Sequence, residues 1–359
     1  MKTPKDMWTT IALISVVIGI VIAIVHLEKQ KTAPELAFSQ PGITNDKGYP
    51  TAPELAGIVG YINADPSLTI ESQKGKVVLV DFWTYSCINC IRTLPHITSW
   101  DEKYRDKGLV IIGVHTPEFD FEKEYDNVKA AVEKYGVGYP VVLDNDYATW
   151  QAYKNRYWPR KYLIDKDGYI RYDHIGEGGY EETEKQIRML LEEKGSDVSD
   201  VGEAPMPDMT PKHITTPELY AGAAFALPRG QDIGNREGIR LGETITYEKL
   251  TNPPADVISL SGTWKSNPDN LEAMGDAEII LPFTASAVNI VAFAPEESIV
   301  EIYVNDKLVS DEQAGSDAIN GIMIVREPRL YTAYDGEYVT ATLALKVKKG
   351  FSFNAFTFG

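Results

Sequence analysis

"GKVVLVDFWTYSCINCIRTLPHITSWDEKY", residues 75–104, decides the fold. Residues 75–83 form a continuous apolar run, as a strand buried on both faces should. Residues 90–104 then read as a helix, with Pro95 expected to kink it. Between them sit Cys87 and Cys90, the only two cysteines of the 359-residue chain. A C-x-x-C that follows a buried strand and opens a helix puts Cys87 at the helix N-terminus. There the unpaired N–H groups and the macrodipole stabilise a thiolate, which makes Cys87 the attacking sulfur. Cys90, one turn further in, can then resolve the mixed disulfide. Zinc would need two more ligands, and the five histidines (26, 96, 115, 174 and 213) offer no ligand spacing.

Outward from this stretch, strand and helix patterns alternate. "GLVIIGVHT" (108–116) and "YPVVLD" (139–144) read as buried strands, and 127–136 as a helix with Val128, Ala131, Val132 and Tyr135 on one face, capped by Gly136. Asp167–Gly168 splits 161–173 into a hairpin, and 180–195 reads as the last helix. The fold class is therefore an α/β domain with a mixed sheet, placed at 51–196. A stretch with three prolines and several acids, at 197–215, reads as an interdomain linker. Beyond it helical periodicity nearly vanishes. "SIVEIYVND" (298–306), "ATLALKVKKG" (341–350), "AEIILPF" (277–283), "SAVNIVAFA" (286–294) and "FNAFTFG" (353–359) are strands, so 216–359 is expected to be an antiparallel β-sandwich that folds independently of the first domain.

The net charge of −17 argues against a nucleic-acid partner. Residues 7–27 carry no Asp, Glu, Lys or Arg, and at ~1.5 Å per residue they span the ~30 Å core of a bilayer. No small-x-small cleavage site follows, so the segment reads as an uncleaved transmembrane anchor. The flanking lysines tie, and the free amino terminus tips residues 1–6 to the cytoplasmic side, with everything beyond Leu27 outside. Residues 28–50, rich in Pro, Gly and polar side chains, form a tether; "TAPELA" occurs at 32–37 and again at 51–56, and "TPELYAG" at 216–222.

"VVLVDFWTYSCINCIRTLP" resembles the active-site segment of the thioredoxin superfamily, and is most similar to the extracytoplasmic thiol–disulfide oxidoreductases of the TlpA/ResA type and the soluble part of DipZ-like proteins. "GVHTPEF" and "YWPRKYLIDKDG" carry the same resemblance, and "TPELYAG" and "FTFG" resemble the two ends of a C-terminal β domain likened to carbohydrate-binding modules. The resemblance implies that Asp81 is the buried acid behind the second cysteine, raised by its apolar strand and able to take or give the Cys90 proton. It implies that Trp83 packs under the active site and is grouped with Trp158 and Pro159 as a client-binding residue. Pro159 corresponds to the cis-proline facing the cysteines, so the backbone of Trp158 can bond an extended client segment. Ser86 stands where bacterial thioredoxins have Trp. Tyr85 and Asn89 flank the cysteines as partner contacts, while His115, Glu118 and Trp264 read as core or capping residues.

The leading expectation is a membrane-anchored enzyme that uses the Cys87–Cys90 disulfide, and no other cofactor or metal, on protein thiol clients. Resemblance favours a reductant, as in cytochrome c maturation, supplied with electrons by a separate membrane thiol carrier. A cell-surface glycan- or protein-binding module with a regulatory thioredoxin domain is the alternative; a peroxidase lacks the Pro that should precede "TYSC".

Overall fold

A computed structural model describes residues 44–202 and 206–359. The anchor expected at 7–27, the segment before it and most of the tether lie outside the described residues. Residues 44–50 make a small turn, bridged from Thr44 to Pro50, in which the Asn45 side chain accepts from the Lys47 and Tyr49 amides.

The first sheet contains β1 (Gly60–Ile62), β2 (Val77–Trp83), β3 (Leu109–His115), β4 (Val141–Leu143), β5 (Arg160–Ile164) and β6 (Ile170–Ile175), in the order β1-β4-β3-β2-β5-β6. β2, β3 and β4 run parallel, whereas β1, β5 and β6 pair antiparallel with their neighbours. Every residue of β2 is buried, and alternation sorts them. Val78, Val80 and Phe82 face one core with Trp150, Tyr153 and Tyr162. Val77, Leu79 and Trp83 face the other, and Asp81, in step with them, points the same way. That second face is covered by α1 (Ile88–Tyr104), α2 (Tyr125–Lys134) and, after α3 (Ala148–Ala152), by α4 (Tyr180–Lys194). On α1 the buried positions Cys90, Leu94, Ile97, Asp101 and Tyr104 follow the helical period, and Pro95 is accommodated inside the helix.

The second sheet begins with β7 (Leu219–Tyr220), from the "TPELYAG" stretch, followed by α5 (Ala223–Ala226), β8 (Thr244–Tyr247), β9 (Ser259–Ser266) and β10 (Leu271–Ala273). It continues through β11 (Ala277–Phe293), β12 (Ser298–Val304), β13 (Lys307–Leu308), β14 (Ala318–Ile319), β15 (Ile322–Val325), β16 (Arg329–Val347) and β17 (Ser352–Phe358). All eleven strands join one hydrogen-bonded network that shares one core, in which Trp264 is buried. This differs from a set of short strands: 277–283 and 286–294 are one 17-residue strand, paired along its length with the 19-residue β16. Register shifts between Ala285 and Ala287 and between Val288 and Asn289 carry the ladder through the break in alternation. The two stretches expected as the ends of this domain meet, since Leu219 and Tyr220 pair with Phe356 and Ala355.

Residues from Thr51 to Gly359 form one compact unit, which differs from the expectation of two independent halves. Phe119, from the first domain, belongs to the core of the second, and Ile88, Ile91 and Phe121 pack against it. The connecting stretch is held too: Val198 is buried, and Arg188 donates to the carbonyls of Val198 and Val201.

Candidate redox site

The site forms where β2 ends and α1 begins. Cys87 is the N-cap of α1, in extended conformation (φ −80°, ψ 116°), and its Sγ accepts from the Cys90 amide at 3.4 Å. Both cysteines are free thiols; Cys87 is partly exposed and Cys90 is buried. Burial is the main force pushing the Cys90 thiol well up, reinforced by the neighbouring Cys87. The first turn of α1 thus presents one reachable sulfur and, behind it, one that stays protonated until something takes its proton.

Asp81 lies on the Cys90 face of β2. It is 1% exposed, and its Oδ1 has no hydrogen-bond partner among the described residues. Burial raises its carboxyl to about 6, against the pull of Lys161. Lys161, directly opposite in the β2–β5 register, is fully buried and donates from Nζ to the Gly176 carbonyl at 3.0 Å. Burial lowers the Lys161 ammonium, while Asp81 and Cys90 favour its charge.

Trp83 is fully buried in the core that holds Cys90, with its ring edge against His115 at 5.3 Å. It therefore underlies the site and cannot be a client contact, which corrects its place beside Trp158 and Pro159. The Trp158–Pro159 bond is cis, Pro159 is buried, and the half-buried Trp158 donates from its indole to the Thr116 carbonyl. Tyr85 is buried and stacks on His115, while its hydroxyl donates across the domain boundary to the Pro328 carbonyl at 3.2 Å. Burial drives His115 down to about 3, so it is a neutral packing residue. Glu118 also crosses the boundary: it accepts from the Tyr220 hydroxyl at 2.7 Å, and burial followed by the nearby Glu218 raises it to about 8.

Sequence reasoning passed over Lys161 and Glu122. Glu122 is fully buried and accepts from Ser86, the residue before the nucleophile. Neither stood out: Glu122 lies in the charged run "DFEKEYD" (120–126) and Lys161 directly follows Arg160. Beside the first turn of α1, a cleft of about 280 Å³ opens between Ile88, Asn89, Arg92 and Glu177 on one side and Thr216, Pro217, Glu218 and Phe358 on the other. Arg92 and Glu177 form a two-pronged ion pair (2.7 and 2.9 Å) at its floor.

The Redoxin family profile matches residues 52–191, and the profile described as "Thioredoxin like C-terminal domain" matches 216–359. The thiol-disulfide oxidoreductase YkuV of Bacillus subtilis is 30% identical over 142 residues, which cover 39% of this chain and 94% of YkuV. The chain belongs to the thioredoxin-like thiol–disulfide oxidoreductases. A second member, ResA of Bacillus thuringiensis, is 31% identical over 123 residues, covering 34% of this chain and 68% of ResA. Protein DipZ of Mycobacterium tuberculosis is 36% identical over 331 residues, 90% of this chain. This family relative is the longer protein, and the chain spans 45% of its length.

Proposed function

We propose that the chain is a membrane-anchored, extracytoplasmic thiol–disulfide oxidoreductase acting on protein disulfides as a reductant. The observation that carries the reading is the unequal access of two thiols at one helix terminus, Cys87 reachable and Cys90 buried beside Asp81. The Cys87 thiolate attacks one sulfur of a client disulfide, forming a mixed disulfide and releasing the other client sulfur as a thiolate, which takes a proton from solvent. Asp81 takes the Cys90 proton. The Cys90 thiolate then attacks Cys87 Sγ, closing the Cys87–Cys90 disulfide and expelling the second client sulfur as a thiolate, which takes the proton held by Asp81. Two electrons and two protons pass to the client, and an external dithiol carrier in the membrane restores the pair. No other cofactor takes part.

The Trp158–Pro159 loop offers main-chain groups to an extended client segment, and Asn89 lines the cleft beside the sulfur. The anchor rests on the apolar run at 7–27, and the reducing direction, with a role such as cytochrome c maturation, on family resemblance. Cys90→Ser in membranes tests the reading, because Cys87 then stays bonded to whatever it attacks. Cysteine-dependent adducts are the expected result, and their absence in a folded protein would sink the proposal. A reduced protein alkylated near neutral pH should lose Cys87 before Cys90.

A further inference from the structure

The acidic side chain of Glu122 sits at the junction of three parts of the molecule. Its Oε1 accepts from the Ser86 hydroxyl at 2.5 Å and the Ser86 amide at 3.3 Å. Its Oε2 accepts from the amides of Glu118 (2.5 Å) and Phe119 (2.9 Å). Three of these four donors are backbone N–H groups, which cannot accept, so the arrangement is built for an ionised carboxylate. The side chain is fully buried, without solvent to screen that charge. Ser86 is the residue before Cys87, one ~3.8 Å Cα step away. On the other side, Phe119 packs its ring against Phe225 of the β domain, and the Glu118 carboxylate meets Tyr220.

We propose that Glu122 is a positioning residue that sets the redox potential of the Cys87–Cys90 couple, by fixing Ser86 and holding one buried negative charge beside the nucleophile's turn. The inference rests on the oxidoreductase reading above. The charge opposes a thiolate on Cys87, and the reduced protein is the form that carries the thiolate. Glu122 therefore disfavours the reduced form and makes the couple more reducing. Burial raises the Glu122 carboxyl, and bonds from Ser86, Thr84, Phe119 and Glu118 oppose part of that rise. Losing one of those donors makes the charge harder to keep.

The test is redox titration of the full chain against glutathione, with thiol trapping of Cys87 and Cys90 and a thermal melt alongside. Glu122→Gln keeps the shape. Its amide oxygen can take the Glu118 and Phe119 donors and its NH₂ can donate to Ser86 Oγ, so that of those four bonds the 3.3 Å one is left unmade. It should shift the equilibrium toward the reduced protein on the order of tenfold, roughly 30 mV upward for a two-electron couple. Ser86→Ala removes the hydroxyl donor, so the carboxylate neutralises more readily. The couple should then move in the same direction by about threefold or more. If Glu122→Gln does not fold, Ser86→Ala alone decides. A couple unmoved by the folded variants, or moved the opposite way, overturns the proposal, even if the melting temperature falls. Absence of any Cys87–Cys90 disulfide in the unsubstituted protein overturns this proposal and the oxidoreductase reading together.

Discussion

Among the described residues Asp81 has no compensating hydrogen bond at Oδ1, and it sits in a wall of Val, Leu and Trp. Its carboxyl moves from the ordinary 3.8 up to about 6 because the charged form is desolvated. The folded protein then binds the proton more tightly than the unfolded chain, so Asp81 contributes stability below about pH 4 that is lost as pH rises through about 6. Asp81→Asn should therefore raise the melting temperature above pH 6 and change it little below pH 4. At about 1.4 kcal/mol per pKa unit the gain is at most roughly 3 kcal/mol, less what Lys161 forfeits with its counter-charge. Thermal melts between pH 4 and 8 check the crossover; a gain independent of pH would assign the effect to packing. The same variant should slow release of the mixed disulfide and leave the first attack nearly intact, which stopped-flow thiol trapping reads. Cys87 and Cys90 were legible in the sequence because residue type and spacing restrict what they can do, whereas Asp81 was pointed to by family resemblance. Lys161 and Glu122 were not, since each has a charged neighbour, Arg160 and Lys123, and such stretches ordinarily face water. Only the three-dimensional register shows that these two do not.

At the scale of elements, β2, α1 and β3 were readable because a wholly buried strand and a helix with a periodic face leave different traces. β11 was read as two strands because "TAS" at 284–286 breaks the alternation. A bulge restores pairing without restoring the pattern, and one sequence gives no sign of it. The "TPELYAG" stretch was read as a repeat and as one end of the β domain, and the structure supplies a reason for its glycine. Gly222 has ordinary backbone angles (φ −71°, ψ 135°), yet a Cβ there would lie 2.3 Å from the Asp269 carbonyl carbon. Contact with the main chain cannot be relieved by a rotamer change. Gly222→Ala should thus destabilise the β domain by about 1–3 kcal/mol, the usual scale for overpacking. Denaturant melts read this directly, and an unchanged midpoint would mean that the 267–270 turn yields freely.

For the whole molecule, the proline-rich acidic connection suggested separable halves. Composition reports how a linker behaves as a chain, but it says nothing about whether the domains it joins share a surface. Here Ile88, Ile91, Phe119 and Phe121 give their apolar area to the β domain's core. A fragment of residues 51–196 should accordingly melt at a lower temperature than 51–359 and bind a hydrophobic dye that the longer chain excludes. Equal melting temperatures and no dye binding would show that the shared surface contributes nothing to stability.

The bond from Tyr85 to the Pro328 carbonyl, and the packing of Ile88 and Ile91 against the β domain's core, occupy one flank of the reactive turn. Under the proposed function, the donor that recharges the protein and the client it discharges into would then have to share the remaining flank. Their complexes are mutually exclusive, so a client in large excess would starve the protein of electrons. Turnover plotted against client concentration would rise, pass through a maximum and fall, and the maximum would move to higher client concentration as the electron donor is increased.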